Sequence, residues 1–196
     1  MRHFVFNLDG TVTRTLLIPF IASHLGIESE VLTLREQCIQ SGLPFQEGLK
    51  QTVSLLEGFG VNKLRDIIKD APLHGLIVDF LRERRGLCRV VTEYPQQWVE
   101  PLCRHVGVEF FASTGDLKAK DSPTPGGIVD KARVVRELGE SVVCVGQGYT
   151  DAEMMEYGEI GIAFGKVHQP AVSVMAACDY VVFSETALCR LLRRLE

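Results

Sequence analysis

The sequence has no excess of basic residues and no long hydrophobic run, and each absence excludes a class of protein. Its 21 lysines and arginines are outnumbered by 25 aspartates and glutamates, which gives a net charge of −4. Binding to a nucleic-acid backbone needs a basic surface, so we expect no nucleic-acid partner. No apolar run approaches the ~20 residues that span a bilayer, so we expect no membrane partner.

The cysteines lack the paired spacing that marks a zinc site or a redox motif. None of the six belongs to a Cys-x-x-Cys pair, and most lie inside apolar runs: Cys38, Cys88, Cys103, Cys144, Cys178 and Cys189. This pattern predicts buried free thiols in a reducing compartment. The short apolar stretch at the N-terminus runs into an acidic motif, which is not typical of a signal peptide. We therefore expect a cytoplasmic protein.

The hydrophobic pattern divides the 196-residue chain into a helical part and an alternating part. After a short apolar strand at Phe4–Phe6, residues 14–71 show helical spacing without a strand pattern. From residue 72 onward, short apolar strands alternate with helices, which predicts a parallel sheet covered on both faces. We therefore predict an α/β core formed by residues 1–13 and 72–196, with a helical cap at 14–71.

The alternating part can be divided into individual elements. The predicted strands cover residues 87–91, 109–112, 141–145, 160–164 and 180–182. The predicted helices cover residues 76–85, 97–106, 131–138 and 151–157, and a last helix ends at Arg193 and Arg194. The polar segment KAKDSPTPGG at residues 118–127 predicts a loop or hairpin.

Four short motifs lie where such a sheet binds ligands, near the carboxyl ends of its strands. The first strand runs into NLDGTVT at residues 7–13, and the second is followed by TEY at 92–94. The fourth strand is followed by GQGYTD at 146–151, and DKA at 130–132 opens a helix. The segments that follow Phe6, Val91 and Val145 are therefore where a site is expected.

These motifs, in this order, resemble the haloacid dehalogenase (HAD) superfamily, most closely its phosphoserine phosphatase-like branch. The resemblance covers essentially the whole chain, including the helical cap and the closing CDYVVFSETALCRLL at residues 178–192. It implies a Rossmann-like parallel sheet core with a small helical cap inserted after the first strand. It also implies phosphomonoester hydrolysis through an aspartyl-phosphate, with a second aspartate as general acid and base and with Mg²⁺ as cofactor.

The resemblance assigns roles to individual residues. Asp9 matches the general acid and base, and Lys131 matches the phosphate-binding lysine of the catalytic group. Thr92 matches the phosphate-binding hydroxyl, and the backbone at Gly10 and Thr11 matches the phosphate cradle. The positions that would form the metal shell are Asn7, Asp9, Gln147 and Asp151.

Two of these positions depart from the family pattern. Asn7 occupies the place of the nucleophilic aspartate, and Gln147 occupies the first metal-ligand position of the last motif. An amide oxygen is a far poorer nucleophile than a carboxylate, and Mg²⁺ favours anionic oxygen. We therefore expect Mg²⁺ to bind poorly, whereas a phosphate dianion would meet less repulsion and would retain Lys131.

The cap departs from the phosphoserine phosphatase pattern as well. An ungapped alignment places Leu16 where the family has a glutamate for the substrate amine, and Thr52 where it has an arginine for the carboxylate. Neither side chain forms an ion pair with a zwitterionic head group, which predicts a more apolar pocket and a substrate other than phosphoserine. Lys50 or Arg14 could still supply a cation nearby.

Glu93 follows the phosphate-binding Thr92, where many relatives have glycine. A carboxylate pointing inward at this position would repel phosphate. The alternative is that Glu93 faces solvent or caps the helix that begins near Pro95.

Three interpretations of function stay open. The first is a catalytically impaired phosphatase-like protein that binds a small phosphorylated or anionic ligand, or a protein partner. The second is an active Mg²⁺-dependent phosphatase, supported by the retained Asp9, Thr92, Lys131 and Asp151. The third is a non-catalytic interaction protein. A substitution engineered to trap a substrate would account for Asn7 but not readily for Gln147.

Overall fold

A computed structural model of the chain describes residues 2–114 and 127–196. All but the last residue of the predicted loop at 118–127 therefore lies outside the described residues. Six strands form one parallel sheet in the order β3-β2-β1-β4-β5-β6. They are β1 (His3–Asn7), β2 (Cys88–Pro95), β3 (Glu109–Ser113), β4 (Val142–Gly146), β5 (Ile160–Phe164) and β6 (Tyr180–Val182).

The helices lie where the apolar periodicity predicts them, with small differences at their ends. The structure contains α1 (Leu17–Leu25), α2 (Glu28–Gln40), α3 (Phe45–Glu57), α4 (Val61–Ile68), α5 (Gly75–Glu83), α6 (Gln96–Val106), α7 (Lys131–Leu138), α8 (Asp151–Tyr157), α9 (Val172–Ala177) and α10 (Glu185–Arg194). The predicted α/β fold class with a parallel sheet is confirmed. The short helix α9 was not predicted, because six residues cover less than two turns of periodicity.

The strand order reverses between β1 and β4, which is the topological switch point of the sheet. Asn7 pairs with Val91 of β2, and Phe6 pairs with Val145 of β4. These registers bring the residues after β1, β2 and β4 to the same edge. Strand β2 runs to Pro95, four residues beyond the predicted end, so Glu93 and its neighbours belong to the strand rather than to a loop.

Two chain segments, one before α1 and one after α4, connect these four helices to the sheet, and these two linkers pair with each other. Thr13 and Leu73 form an isolated antiparallel bridge. On either side of it, the Arg14 N–H donates to the Pro72 carbonyl at 2.7 Å and the His74 N–H donates to the Val12 carbonyl at 2.9 Å. The division of the chain into cap and core at these linkers stays a prediction.

The apolar side chains form two clusters, one on each face of the sheet, and the larger one contains most of the aromatic residues. Its largest fully buried side chains include the five aromatic residues Trp98, Phe4, Phe6, Phe80 and Phe164. Residues from α1, α3 and α4 pack into the same cluster: Leu17, Ile21, Val53, Leu56, Leu64 and Ile68.

The cysteines agree with the predicted buried free thiols. All six are free, and all except Cys178 are buried. Burial raises the pKa of Cys88, Cys103 and Cys144 to about 12, which keeps these thiols protonated and unreactive. Among the described residues, no helix has the length and apolar character needed to cross a membrane.

Replacing Phe80 with alanine should lower the free energy of unfolding by about 3–5 kcal/mol, because it leaves a cavity in the core. The Phe80 ring is fully buried, and it meets Phe4 edge-on at a centroid distance of 5.2 Å. Phe183→Ala is the matched control, since Phe183 is 58% exposed. Urea unfolding of both variants checks the prediction, and equal losses would contradict it.

Candidate active site

Asn7 ends β1 and is held by hydrogen bonds at both ends of its side-chain amide. The residue is 4% exposed. Its Nδ2 donates to the carbonyl oxygen of Asp9 at 2.9 Å. Its Oδ1 accepts from Nζ of Lys131 at 3.3 Å. The amide therefore bridges the turn after β1 and the first residue of α7.

Gln147 follows β4 and reaches the same carbonyl from the other side. Its Nε2 donates to the Asp9 carbonyl oxygen, and its Oε1 accepts from the Thr11 hydroxyl. The side chains of Asn7 and Gln147 thus converge on one acceptor. We call Asn7, Gln147 and the Asp9 carbonyl the amide clamp.

The orientation of both amides follows from this shared acceptor. If either amide were rotated by 180°, its oxygen would face the Asp9 carbonyl, and two acceptors would meet without a proton between them. Gly10 makes the close approach possible. Its φ is +68°, and an added Cβ would lie 2.6 Å from Nε2 of Gln147. The turn after β1 is therefore shaped around the glutamine side chain.

Lys131 forms the charged centre of the site. Its Nζ lies 2.6 Å from Oδ1 of Asp151 and 2.7 Å from Oε1 of Glu93, and it also donates to the Thr150 hydroxyl at 3.2 Å. Burial alone would lower the pKa of Lys131, but the carboxylates of Asp151 and Glu93 outweigh this effect and raise the pKa. The lysine is therefore a charged ammonium shared by two carboxylates.

Asp151 is the first residue of α8 and is fully buried. Its Oδ2 accepts from the backbone N–H groups of Gln147 and Gly148, each at 2.8 Å. With the Lys131 ammonium on Oδ1, both carboxylate oxygens have donors. Asp151 therefore fixes the loop after β4 and, with it, the position of Gln147.

The carboxylate of Asp9 also has a donor on each oxygen. Oδ1 accepts from the N–H of Leu17, the first residue of α1, at 2.6 Å, and Oδ2 accepts from the Tyr94 hydroxyl at 3.0 Å. Burial raises the pKa of Asp9 from 3.8 to about 6, although both hydrogen bonds favour the charged form. Burial also raises the pKa of Tyr94 well above its usual value, which keeps its hydroxyl a proton donor.

The structure brings most of the predicted site residues together, with one exception in the cap and one correction. Leu16 lies against Gly10, but the Thr52 hydroxyl donates to the Gly48 carbonyl of its own helix at 2.9 Å. Thr92 is buried, and its hydroxyl accepts from the Tyr94 N–H at 3.3 Å.

The interpretation that Glu93 faces solvent or caps α6 is wrong, because its carboxylate points inward to Lys131.

Two residues of the site were missed by the sequence analysis. Tyr94 holds the Asp9 carboxylate, and Thr150 contacts both Lys131 and Glu93. Both lie within the quoted motifs at strand ends, and both carry a hydroxyl. Tyr94 lies two residues after Thr92 in the TEY segment, but its place in the sequence does not show that it reaches Asp9.

The arrangement of donors does not fit the Mg²⁺ that the resemblance implies. Mg²⁺ needs oxygen ligands in a near-octahedral shell. Here the Asp9 carbonyl faces two amide N–H groups, the Asn7 oxygen faces Lys131, and the Asp151 carboxylate faces three N–H donors. Within residues 2–114 and 127–196, no group of three or more histidine, cysteine, aspartate or glutamate side chains could hold a metal ion.

Replacing Gly10 with alanine should destabilise the protein more than replacing Gly26, which shares its backbone conformation. Both have φ near +70°, so both variants carry left-handed strain of about 1–2 kcal/mol. Only Gly10 has Gln147 against its missing Cβ, whereas Gly26 has nothing within 4 Å. We expect an additional loss of about 1–3 kcal/mol for Gly10→Ala, measured by urea unfolding. Equal losses of unfolding free energy in the two variants would show that Gln147 does not restrict the space beside Gly10.

The raised pKa of Asp9 should make stability fall as the pH rises from about 4 to about 6. The unfolded state releases the Asp9 proton near its ordinary pKa of 3.8, while the folded state holds it until about 6. The stabilising effect is therefore complete below pH 4 and is lost as the pH passes 6, by up to about 3 kcal/mol. Asp9→Asn should remove this loss, whereas Asp79→Asn, at an exposed carboxyl on α5, should keep it. Unfolding free energies measured across this pH range test the difference, and parallel curves for all three proteins would contradict it.

Known proteins that are similar to this chain include a hydrolase family and phosphoserine phosphatases. The family model described as haloacid dehalogenase-like hydrolase matches residues 4–156. A phosphoserine phosphatase of Mycobacterium tuberculosis is 28% identical over 192 residues, which cover 89% of this chain and 46% of that protein. A phosphoserine phosphatase of Archaeoglobus fulgidus is 29% identical over 180 residues, covering 83% of this chain and 52% of the relative. The chain therefore spans about half the length of these two relatives.

Solved structures of phosphoserine phosphatases have the same fold as this chain. A phospho-aspartyl intermediate analogue of phosphoserine phosphatase has a TM-score of 0.75 at 21% identity, covering 100% of this chain and 99% of that chain. A substrate-bound phosphoserine phosphatase complex has a TM-score of 0.73 at 22% identity, covering 100% and 98%. The family match over residues 4–156 shows that this chain belongs to the haloacid dehalogenase-like hydrolase family, and its relatives place it with the phosphoserine phosphatase-like members.

Proposed function

We propose that this protein is a catalytically impaired phosphatase-like member of the family, which binds a small phosphorylated or anionic ligand without hydrolysing it. The observation that carries the proposal is Asn7 in the place of the nucleophile, with its amide hydrogen-bonded to Asp9 and Lys131. A neutral amide oxygen that already accepts from an ammonium group is a poor nucleophile toward phosphorus.

The remaining catalytic positions support the same conclusion. Both oxygens of Asp9 are bonded to Leu17 and Tyr94, which makes the proposed general acid and base part of the link between β2 and α1. The oxygens that would bind Mg²⁺ face N–H donors instead. Because Asn7 and Gln147 act on one acceptor, the two departures form a single unit. This supports natural divergence over a substitution engineered at Asn7 alone.

A phosphorylated ligand is supported by the groups that remain. Lys131 supplies a buried ammonium, and the Thr92 hydroxyl, which accepts from Tyr94, keeps its own proton to donate. The named relatives are phosphoserine phosphatases. Leu16 and Thr52, at the positions that would form ion pairs with phosphoserine, favour a ligand without a zwitterionic head group.

The second candidate is an active Mg²⁺-dependent phosphatase acting on a small phosphomonoester other than phosphoserine. The retained Asp9, Thr92, Lys131 and Asp151 favour it. A non-catalytic interaction protein with a protein partner is the third. A cytoplasmic location and the absence of a nucleic-acid partner rest on composition and remain proposals.

The Asn7→Asp/Gln147→Asp double variant should gain Mg²⁺-dependent hydrolysis of an aryl phosphate, whereas the native sequence should show none. The two carboxylates restore the nucleophile and the anionic oxygens that Mg²⁺ prefers. Mg²⁺ should also raise the melting temperature of the double variant but not that of the native protein, because a ligand that binds only the folded state stabilises it. Adding Asp9→Asn to the double variant is the control, and it should abolish turnover.

Metal-dependent turnover by the native sequence would contradict the proposal and support the active phosphatase. If the double variant gains the Mg²⁺-dependent rise in melting temperature but no activity, the metal site is restored and the pocket has been remodelled for another role. That result would favour the interaction protein.

A further inference from the structure

The carboxylate of Glu93 lies at the point where the positive and donor groups of the site converge. Its Oε1 is 2.7 Å from Nζ of Lys131 and accepts a hydrogen bond from the Thr150 hydroxyl. Glu93 directly follows Thr92, the position that the family resemblance assigns to phosphate binding. An anion bound to Lys131 beside Thr92 would need the volume that this carboxylate occupies.

We propose that the Glu93 carboxylate is an internal ligand of the anion subsite, and that a phosphorylated ligand binds only by displacing it. The inference rests on the proposed function, because it concerns the same site. The contact between Glu93 and Lys131 is then autoinhibitory, and Glu93 is the side chain that must move.

Charge balance explains why displacement is needed. The Lys131 ammonium is shared by the carboxylates of Glu93 and Asp151. A phosphate dianion that entered with both in place would be a third anionic group around one cation, in a site that is largely closed to water. Like charges at such distances repel strongly. Exchanging Glu93 for the ligand leaves two anions at the lysine.

Glu93 is the partner of Lys131 that can leave. The Asp151 side chain is 0% exposed, and two backbone N–H groups hold it in addition to the lysine. The Glu93 side chain is 14% exposed, and two side-chain donors hold it, Lys131 and Thr150. The carboxylate with fewer donors and more contact with water is displaced at the lower cost.

The backbone at Glu93 stays in place while the side chain moves. Its carbonyl accepts from the Ser113 hydroxyl at 2.5 Å, and the Ser113 oxygen accepts from the Val129 N–H at 3.0 Å. These bonds fix the end of β2 against β3. The expected motion is therefore a side-chain rotation, which does not require the sheet edge or the cap to rearrange.

The test is calorimetric titration of inorganic phosphate into the native protein and into Glu93→Gln. Glutamine keeps the shape of the side chain and removes its charge, so phosphate should bind at least about tenfold more tightly than to the native protein. Glu153→Gln, at an exposed carboxylate on α8, is the matched control and should bind as the native protein does. Circular dichroism confirms that each variant is folded.

Each outcome separates the inference from the function on which it rests. Equal phosphate affinity in the native protein and Glu93→Gln overturns the internal ligand but leaves the anion site standing. No phosphate binding by either folded protein overturns the proposed anion site itself. If Glu93→Gln does not fold, Glu93→Asp replaces it, since the shorter side chain withdraws the carboxylate from Lys131 and should also tighten binding. Unchanged affinity in that variant overturns the inference.

Discussion

Two side-chain amides share one acceptor, the carbonyl oxygen of Asp9, and the polar centre of the protein is arranged around that oxygen. A carbonyl at a site lined by anionic ligands would normally face a cation. Here the N–H groups of Asn7 and Gln147 supply the positive partner instead. Because the two hydrogen bonds come from opposite sides of the switch point, they also join the ends of β1 and β4. The same contact thus fixes the geometry of the turn after β1.

Lys131 is the second residue on which the site depends. Its ammonium group is the cation that balances the neighbouring carboxylates. Replacing two carboxylates by amides lowers the negative charge near the lysine, but Glu93 returns one carboxylate to it. The ammonium therefore keeps two anionic partners in the folded protein. The Asp9 carboxylate also has a structural role, since its hydrogen bonds join the start of α1 to Tyr94 of β2. Groups that carry chemistry in the family pattern here hold neighbouring elements together.

Much of the architecture could be predicted because it depends on local periodicity. The strand Ile160–Phe164 and the helix Lys131–Leu138 have the bounds that their apolar spacing predicts. The edge that carries the site was located because parallel strands bring their carboxyl ends together, whereas the roles of individual residues came from the family resemblance. The inward turn of Glu93 and the role of Tyr94 could not be predicted, since both depend on a partner far along the chain. Periodicity also gave no indication that Asn7 and Gln147 share an acceptor, because that contact spans the switch point.

The paired linkers at the base of α1 to α4 have a mechanical consequence. Bonds between Arg14 and Pro72 and between His74 and Val12 make the two linkers a short antiparallel ribbon. A short antiparallel ribbon can bend while its hydrogen bonds stay formed. The four helices can therefore tilt relative to the sheet without losing these bonds. A second contact joins these helices to the sheet, since the ring of Phe45 on α3 meets that of Tyr149 after β4 at a centroid distance of 6.4 Å. Because Phe45 belongs to the helices beyond the linkers and Tyr149 to the sheet, bending of the ribbon changes the distance between these two rings.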